Sequence, residues 1–497
     1  DGIALLDSAF TPLSPAEELA VGRAAGPAGV PARAAAGFER AFAAGLGTVE
    51  DRFAYATTLT RLGRQAEAVP QFAVVVASPK TPRALAASAA YQRARAMVRG
   101  GDAIKGKLAL ELVARTWARD TAAASSALFL LGDLASDDRA DSIARQRYRK
   151  LVTRYPTSAF APTAALRGAM IALVAGDAAL AADELDELGR RYGRSDEAVA
   201  SGYWAGRARW AAGDTAGARQ HWERLAAGEP GLYYTGLALR RLQRPDWAPA
   251  AAPDSFVAIP AMDSAIARAA LLARLGLATE SRWEYDRLFR QSETSAERLL
   301  ALADRFRGHG LASQAIQLAR RALALGAPGD ARTYRLLYPV VLEDALLAEA
   351  GEHGLDPAFV AALIRQESMF NPLATSAVGA RGLMQVMPDL GGRLAQSLSY
   401  PVWDPVLLYQ PDVSLQLGVF HLQELAGRYA HPVHVLAAYN AGASRVERWS
   451  QRIGVDDPEI FTERIPFAET RGYVRAIQRN EEIYRSLYAW PTVTAQR

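Results

Sequence analysis

The chain has 497 residues and no cysteine, and its 57 lysines and arginines exceed its 53 aspartates and glutamates, which gives a formal net charge of +4. This length predicts several domains with ample buried core, and the lack of cysteine excludes both a disulfide scaffold and a cysteine-ligated metal site. The mild positive charge suits an acidic polymer. However, no basic run interleaved with aromatics indicates nucleic-acid binding, and no apolar window of about 18 residues indicates a membrane span.

Short turns made of glycine and a polar residue recur along the first half of the chain. They stand at Gly63-Arg64, Gly101-Asp102, Gly176-Asp177 and Gly213-Asp214, and an alanine-rich amphipathic stretch follows each of them. Their spacing, with one further turn expected near 136–138, is close to the length of a tetratricopeptide repeat. The sequence therefore predicts a superhelical array of helix pairs over residues 1–248.

A proline-rich stretch interrupts this pattern. It runs from Pro245 to Pro253 and continues to Pro260, and such a composition is typical of a linker or a domain seam. Glycine turns at Gly276 and Gly310 then indicate further helix pairs. We therefore expect a helical linker domain over 249–335 and a separate C-terminal domain over 336–497.

One helix of the C-terminal domain places an acid on its apolar face. Residues 356–368 open with an aspartate suited to an N-cap and a proline at the first helical position. Glu367 lies four residues after Leu363 and three after Ile364, so it continues the buried row. A carboxyl held against apolar neighbours keeps its proton to higher pH, as a general acid requires. The alternative is an ordinary buried glutamate paired with a base such as Arg365.

The segment that follows offers polar groups beside flexible backbone. Residues 376–388 read SAVGARGLMQVMP, in which Ser376, Gln385 and Met387 supply a hydroxyl, an amide and a soft apolar wall. The glycines allow the backbone to approach a ligand closely. Such groups suit an acetamido sugar.

His431 and His434 come closest to a metal motif. They are three residues apart, but Pro432 lies between them and no third ligand is nearby in sequence. A loop followed by a helix start explains this segment better than a zinc site. The sequence therefore predicts neither a metal nor a cofactor.

Four motifs taken in order carry a family resemblance. They are RQES at 365–368, SAVGARGLMQVMP at 376–388, AAYNAG at 437–442 and IPFAETRGYV at 465–474. Together they resemble the catalytic domain of the soluble lytic murein transglycosylases, lysozyme-like enzymes that cleave bacterial peptidoglycan. The resemblance runs from about Tyr338 to the end of the chain. It implies a mainly α protein, in which a superhelical domain and a linker domain form a ring or U that carries a lysozyme-like catalytic domain.

The resemblance also implies roles for individual residues. Glu367 looks like the single catalytic acid and base. The expected substrate-binding residues are those that fall where the family lines its sugar subsites or borders its cleft: Ser376, Gln385, Met387, Tyr439, Asn440 and Glu469. No second acid is paired with Glu367 in a recognisable motif, unlike the two carboxylates of a standard glycosidase.

The implied reaction breaks the bond between N-acetylmuramic acid and N-acetylglucosamine and leaves a 1,6-anhydro end. The partners would be peptidoglycan glycan strands, with other cell-wall enzymes as further candidates, and the chain would act as a monomer in the periplasm after a secretory signal preceding Asp1. Two alternatives remain open at this point. A goose-type lysozyme would use the same fold and acid for hydrolysis, and a nonenzymatic scaffold would bind murein through its helical array.

Overall fold

A computed structural model of the protein describes residues 2–3, 8, 12–452, 454 and 456–490. Throughout these ranges the backbone forms α-helices, one 3-10 helix and isolated β-bridges, so the predicted helical fold class is confirmed. No described helix is long and apolar enough to cross a membrane. The chain divides into two compact units, Asp1–Ala218 and Arg219–Arg497.

The first unit is a succession of short helices, the last of which continues into the second unit. They are α1 (Pro15–Ala25), α2 (Pro31–Ala43), α3 (Val49–Arg61), α4 (Gln65–Ala77), α5 (Arg83–Arg99), α6 (Ala103–Thr116), α7 (Thr121–Asp137), α8 (Asp141–Arg154), α9 (Ala161–Val174), α10 (Ala178–Arg191), α11 (Asp196–Ala211) and α12 (Thr215–Ala226).

The predicted repeat is confirmed by the turns within helix pairs. A residue with left-handed backbone ends each first helix, at Gly63, Gly101, Arg139, Gly176 and Gly213, with φ between 63° and 93°. The middle turn lies one residue beyond the expected range and is formed by an arginine, which adopts this conformation less readily than glycine does. Glycine is therefore a frequent but not an obligatory marker of the turn in this array.

Small residues set the close packing inside the array. Gly132 on α7 faces the ring of Tyr148 on α8, and a Cβ at this glycine would overlap the ring. The buried Tyr148 hydroxyl donates to the carboxylate of Asp133 at 2.6 Å, and Arg167 on α9 pairs with the same carboxylate. The first helices of neighbouring pairs also touch, since α5 contacts α7 and α9 contacts α11. The array thus has a continuous layer of first helices.

The second unit contains the remaining helices. They are α13 (Tyr233–Arg241), α14 (Pro260–Arg274), α15 (Ala278–Ser292), α16 (Ala296–Gly308), α17 (Ala312–Ala324), α18 (Ala331–Leu337), α19 (Glu343–Glu352), α20 (Pro357–Ser368), α21 (Pro388–Ser397), the 3-10 helix Pro405–Tyr409, α22 (Pro411–Arg428), α23 (Pro432–Ala441), α24 (Ala443–Trp449), α25 (Pro458–Arg464) and α26 (Ala468–Leu487).

The short helix α13 is docked on the C-terminal helix α26 through buried charge. The Tyr234 hydroxyl donates to Glu463 Oε1 at 2.7 Å, and Arg475 of α26 pairs with the same carboxylate. The Arg475 guanidinium also lies over the Tyr234 ring, 5.3 Å from its centroid. At the side of this cluster Arg241 donates to both carboxylate oxygens of Glu459 at 3.0 Å. Through Glu463 and Arg475, these contacts connect α13 with α25 and α26.

One hydrophobic core runs through the second unit. Buried side chains form a single cluster from Met262 in α14 to Leu487 in α26. The sequence-based boundaries at 248/249 and 335/336 both fall inside this unit. The division into a linker domain and a catalytic domain therefore stays a prediction, whereas the packing of their helices is continuous.

We expect Glu463→Gln to destabilise the protein by about 3–5 kcal/mol, because Arg475 would then keep a buried charge without its counterion. Thermal and urea denaturation of the full chain would measure the change. The matched control is Glu447→Gln, which removes one partner of the half-exposed pair with Arg428 and should cost less than about 1 kcal/mol. Equal effects of the two substitutions would contradict the assigned role of the buried pair.

Candidate active site

Helix α20 begins as the sequence predicts. Asp356 is its N-cap and accepts a hydrogen bond from the Ala358 N–H at 2.8 Å, and Pro357 occupies the first helical position. The helix is buried along almost its whole length, and Leu363 and Ile364 are 0% and 1% exposed. Glu367 in its last turn is half-buried. The carboxyl is therefore held by the apolar face of a rigid helix.

The environment of Glu367 raises the pKa of its carboxyl, so that the group keeps its proton up to about neutral pH. Burial raises the pKa of this carboxyl to about 7, and a hydrogen bond from the Tyr473 hydroxyl, 2.6 Å from Oε1, acts against that rise because it stabilises the charged form. Arg365, the partner considered in the alternative interpretation, instead donates to the Leu337 carbonyl at 2.9 Å and lies over the Tyr338 ring. Arg365 is therefore not the partner of Glu367, because two helix residues two apart face different directions.

Helix α26 lies antiparallel to α20 and is tied to it at both ends. At one end Tyr473 contacts Glu367, and at the other Arg485 pairs with the N-cap Asp356 at 2.8 Å. Val474 and Ile477 of α26 are fully buried between these ties. The Tyr473 hydroxyl, which donates to Glu367, is thus positioned by a long packed helix.

The loop between α20 and α21 is folded by backbone bridges. Arg381 forms antiparallel bridges with both Thr375 and Val386. Gly382 has φ of +77°, and a Cβ there would collide with the Leu408 carbonyl oxygen. The loop can therefore lie directly against the 3-10 helix only with glycine at this position.

Gln385 and Tyr439 use their polar groups partly within the protein. The Gln385 Nε2 donates to the carbonyls of Ala374 at 3.1 Å and Gly382 at 2.9 Å, which holds the loop and leaves the amide oxygen as its remaining group. The Tyr439 hydroxyl donates to the Met384 carbonyl at 2.8 Å. Both residues therefore shape the site in the absence of any ligand.

Side chains of the four sequence motifs are joined in a closed ring of hydrogen bonds. Each motif is bonded to two of the others. The motif on α20, for example, is bonded to the motif of the loop that follows this helix and to the motif that continues into α26. The four bonds run from Ser368 Oγ to Leu383 O (2.8 Å), from Tyr439 OH to Met384 O (2.8 Å), from Thr470 Oγ1 to Asn440 Oδ1 (2.7 Å) and from Tyr473 OH to Glu367 Oε1 (2.6 Å). The motifs that are separated by up to a hundred residues in sequence thus form one site.

Of the predicted site residues, Tyr439 and Asn440 take part in this ring, and Ser376, Met387 and Glu469 do not. Ser376 is half-buried and its hydroxyl accepts from the Ala380 N–H at 3.0 Å. Met387 is 41% exposed at the start of α21. Asn440 and Glu469 are exposed, and Glu469 stands in the first turn of α26. Of the predicted residues, Tyr439 is near enough to Glu367 for the carboxylate to raise the tyrosine pKa beyond the effect of burial.

Tyr473 was not among the residues selected from the sequence, although it contacts Glu367 directly. It lies four residues after Glu469, and it begins the buried face that continues through Val474 and Ile477. This periodicity marks Tyr473 as inward-facing on the last helix. The sequence held no sign that its partner would be Glu367.

No carboxylate among the described residues contributes to the pKa of Glu367. Five acids that follow Glu367 in the chain are exposed or have other partners. Asp389 and Glu469 are exposed, Asp404 accepts from the Val406 N–H at 2.8 Å, Glu424 is 3.3 Å from His421 Nδ1, and Glu447 pairs with Arg428. In the part of the chain that the structure describes, Glu367 is therefore the one candidate acid of this site.

Two family models match parts of the chain. Residues 344–460 match the model described as "Transglycosylase SLT domain", and residues 126–158 match a tetratricopeptide repeat. The first match includes Glu367, and the second lies within the repeat array of the first unit.

Curated relatives are similar to part of this chain in sequence, and solved structures are similar to it in fold. The soluble lytic murein transglycosylase of Salmonella typhimurium is 34% identical over 151 residues, which are 30% of this chain and 23% of that protein. The chain therefore matches less than a quarter of the length of such curated relatives. Two crystal structures have a similar helical fold. One is an inactive glutamate-to-glutamine mutant of the lytic transglycosylase Slt from Pseudomonas aeruginosa. It has a TM-score of 0.64 at 20% identity, and the match covers 96% of this chain and 84% of that chain. The other is the 70 kDa soluble lytic transglycosylase of Escherichia coli, with a TM-score of 0.54 at 19% identity, and the match covers 97% of this chain and 90% of that chain.

We expect Glu367→Gln to stabilise the fold at alkaline pH. The folded-state pKa of about 7 lies above the ordinary value of 4.5, so the wild-type chain loses stability as pH rises through this interval. At about pH 8.5 the glutamine variant should be more stable by on the order of 1–3 kcal/mol, and the difference should vanish below about pH 4. Thermal denaturation of both proteins across this range would measure it. A difference that is independent of pH would contradict the raised pKa.

Proposed function

We propose that the protein is a lytic transglycosylase that cleaves the bond between N-acetylmuramic acid and N-acetylglucosamine in peptidoglycan and leaves a 1,6-anhydro end. The observation that carries the proposal is Glu367, a single half-buried acid with a pKa of about 7 inside a transglycosylase SLT domain. A periplasmic site of action follows from this substrate. The inactivity of the glutamate-to-glutamine mutant of the Pseudomonas relative agrees with a mechanism that depends on one glutamate.

The absence of a second carboxylate beside Glu367, within the described parts of the chain, favours participation by the substrate. A retaining glycosidase needs a nucleophilic carboxylate about 5–5.5 Å from the acid, and an inverting enzyme needs a base farther away. A carboxylate at the shorter distance would raise the pKa of Glu367, and no described carboxylate does so. The stabilising group for the anomeric carbon would therefore come from the 2-acetamido oxygen of the sugar.

The proposed reaction uses Glu367 twice. The protonated carboxyl first gives its proton to the glycosidic oxygen, the bond from that oxygen to the anomeric carbon breaks, and the acetamido oxygen bonds to the anomeric carbon. The Glu367 carboxylate then takes the proton of the C6 hydroxyl, the C6 oxygen bonds to the anomeric carbon, and the acetamido oxygen leaves. Water is neither consumed nor released. A pKa near the working pH suits a group that must act as an acid and then as a base.

The hydrogen-bonded ring of the site provides the groups around this acid. Tyr473 stabilises the carboxylate that forms after the first step. We assign contacts with the sugar chain to the residues selected from the motifs: Ser376, Gln385 through its amide oxygen, Met387, Tyr439, Asn440 and Glu469. Since hydrogen bonds hold four of these residues, namely Ser376, Gln385, Tyr439 and Asn440, before substrate arrives, they would orient the sugar at little entropic cost.

The first test is the chemical nature of the product. Purified peptidoglycan digested by the full chain should give muropeptides with anhydro ends, which mass spectrometry separates from reducing ends because they are lighter by one water. Glu367→Gln should lower the cleavage rate by about 1000-fold, since the proposed general acid is removed. Reducing ends would instead identify a lysozyme-like hydrolase. Binding to murein without any product from the wild-type chain would favour a scaffold.

A second test concerns the Tyr473 hydrogen bond. Since this bond lowers the pKa of Glu367, Tyr473→Phe should raise that pKa above about 7. Glu367 must be protonated to act as an acid, so wild-type kcat/KM should fall as pH rises through about 7 and the variant should retain activity to higher pH. The control is Tyr484→Phe, a substitution on the same helix as Tyr473. It removes a hydroxyl that donates to the Pro339 carbonyl. Coincident pH profiles for Tyr473→Phe and the wild type would refute the assignment.

A further inference from the structure

Helix α20 ends under backbone strain directly after Glu367. Met369 and Phe370 both adopt the left-handed conformation, with φ of 52° and 59°, although neither is glycine. This conformation is unfavourable for such side chains, and it persists only where the surrounding contacts hold it. The turn that carries the candidate acid therefore needs an anchor outside its own backbone.

Arg365 is connected to this strained turn through its backbone. It lies one turn before Met369, and its carbonyl accepts the Met369 N–H at 3.1 Å. The residue is buried, with 5% of its surface exposed. A displacement of Arg365 would therefore move the end of the helix and, with it, Glu367 two residues further on.

The Arg365 guanidinium is anchored on the end of another helix. Its Nε donates to the carbonyl of Leu337, the last residue of α18, at 2.9 Å. Its Cζ lies 4.0 Å from the centroid of the Tyr338 ring. The last carbonyls of a helix have no partner within the helix, so this bond gives the Leu337 carbonyl a donor. A planar guanidinium can donate such a bond and cover an aromatic ring at the same time.

Aromatic hydroxyls hold the segment that receives this anchor. The Tyr488 hydroxyl donates to the Tyr338 carbonyl at 2.9 Å, and the Tyr484 hydroxyl donates to the Pro339 carbonyl at 3.0 Å. Three consecutive carbonyls, from Leu337 to Pro339, thus each accept a hydrogen bond from a side chain of α20 or of the C-terminal end of α26. The anchor of the helix end therefore rests on a fixed segment.

We propose that Arg365 is a positioning residue for the reaction, which anchors the strained end of α20 on α18 and thereby holds the Glu367 carboxyl in its apolar surroundings. The inference rests on the proposed function, in which Glu367 is the general acid. Loss of the anchor should admit water to the carboxyl. Since burial is what raises the pKa of Glu367, the pKa should then fall toward its ordinary value.

The test follows the Glu367 carboxyl through stability as well as through activity. The stability gained by Glu367→Gln grows as pH rises from the ordinary pKa of the carboxyl to its folded-state value, which is about 7 in the wild type. When both chains also carry Arg365→Met, the upper end of this pH window should move down by about one unit. Murein cleavage by Arg365→Met alone should accordingly fall about fivefold at pH 7 and much less at pH 5.

Two further variants separate the role of position from other effects. Arg365→Lys keeps the buried charge and a donor but not the planar group over the ring, so its shift should be smaller and in the same direction. Tyr488→Phe is the matched control, because it removes the neighbouring bond to the Tyr338 carbonyl without changing α20. Its pH window and its cleavage profile should match those of the wild type.

Three outcomes would overturn the proposal. The first is an unchanged window in both Arg365 variants, even with a loss of cleavage that is equal at every pH. The second is an upward shift in Arg365→Met, which would show a direct effect of the lost charge. The third is an equal downward shift in Tyr488→Phe. Where Arg365→Met does not fold, the window of Arg365→Lys decides alone. A wild-type chain that does not cleave murein, with the downward shift of the stability window retained, would contradict the proposed function alone.

Discussion

The hydrogen bond between Tyr473 and Glu367 is the interaction on which the site depends. A carboxyl buried without any partner would keep its proton well above neutral pH, and a carboxyl with a strong cationic partner would lose it far below. A neutral phenol at 2.6 Å lies between these extremes, since it stabilises the charged form without adding a charge. Burial and this one donor together set a pKa of about 7. The chemistry of a group that gives and then takes a proton follows from that balance.

This balance requires that α26 stay fixed against α20. The ties at Glu367 and Asp356 hold the two helices at both ends, and the buried pair of Glu463 and Arg475 backs α26 on its other side. The short helix α13, which would be counted with the repeat array by sequence, supplies Tyr234 to that pair. The support of the site therefore extends well outside the region that matches the SLT domain. A sequence boundary placed at 248/249 would separate α13 from the helix that it stabilises.

The features of the fold and the site that depend on residues close together in sequence could be predicted from local patterns. The N-cap Asp356, the inward position of Glu367 and the repeated turns all follow from spacing along one helix or between adjacent helices. What could not be predicted depends on residues far apart in sequence. Tyr473 is 106 residues from Glu367, and nothing local names its partner. Gln385 was expected to face a sugar, but its amide nitrogen satisfies two backbone carbonyls of its own loop, because buried carbonyls in a bridged loop need donors.

Several ion pairs in the repeat array join helices that are two apart in the chain. Arg145 on α8 pairs with Glu184 on α10, and Arg167 on α9 pairs with Asp133 on α7. Asp133 also accepts a hydrogen bond from the buried Tyr148 hydroxyl on α8. One carboxylate therefore links three consecutive helices, and it holds a first helix both to its own partner and to the first helix of the next pair.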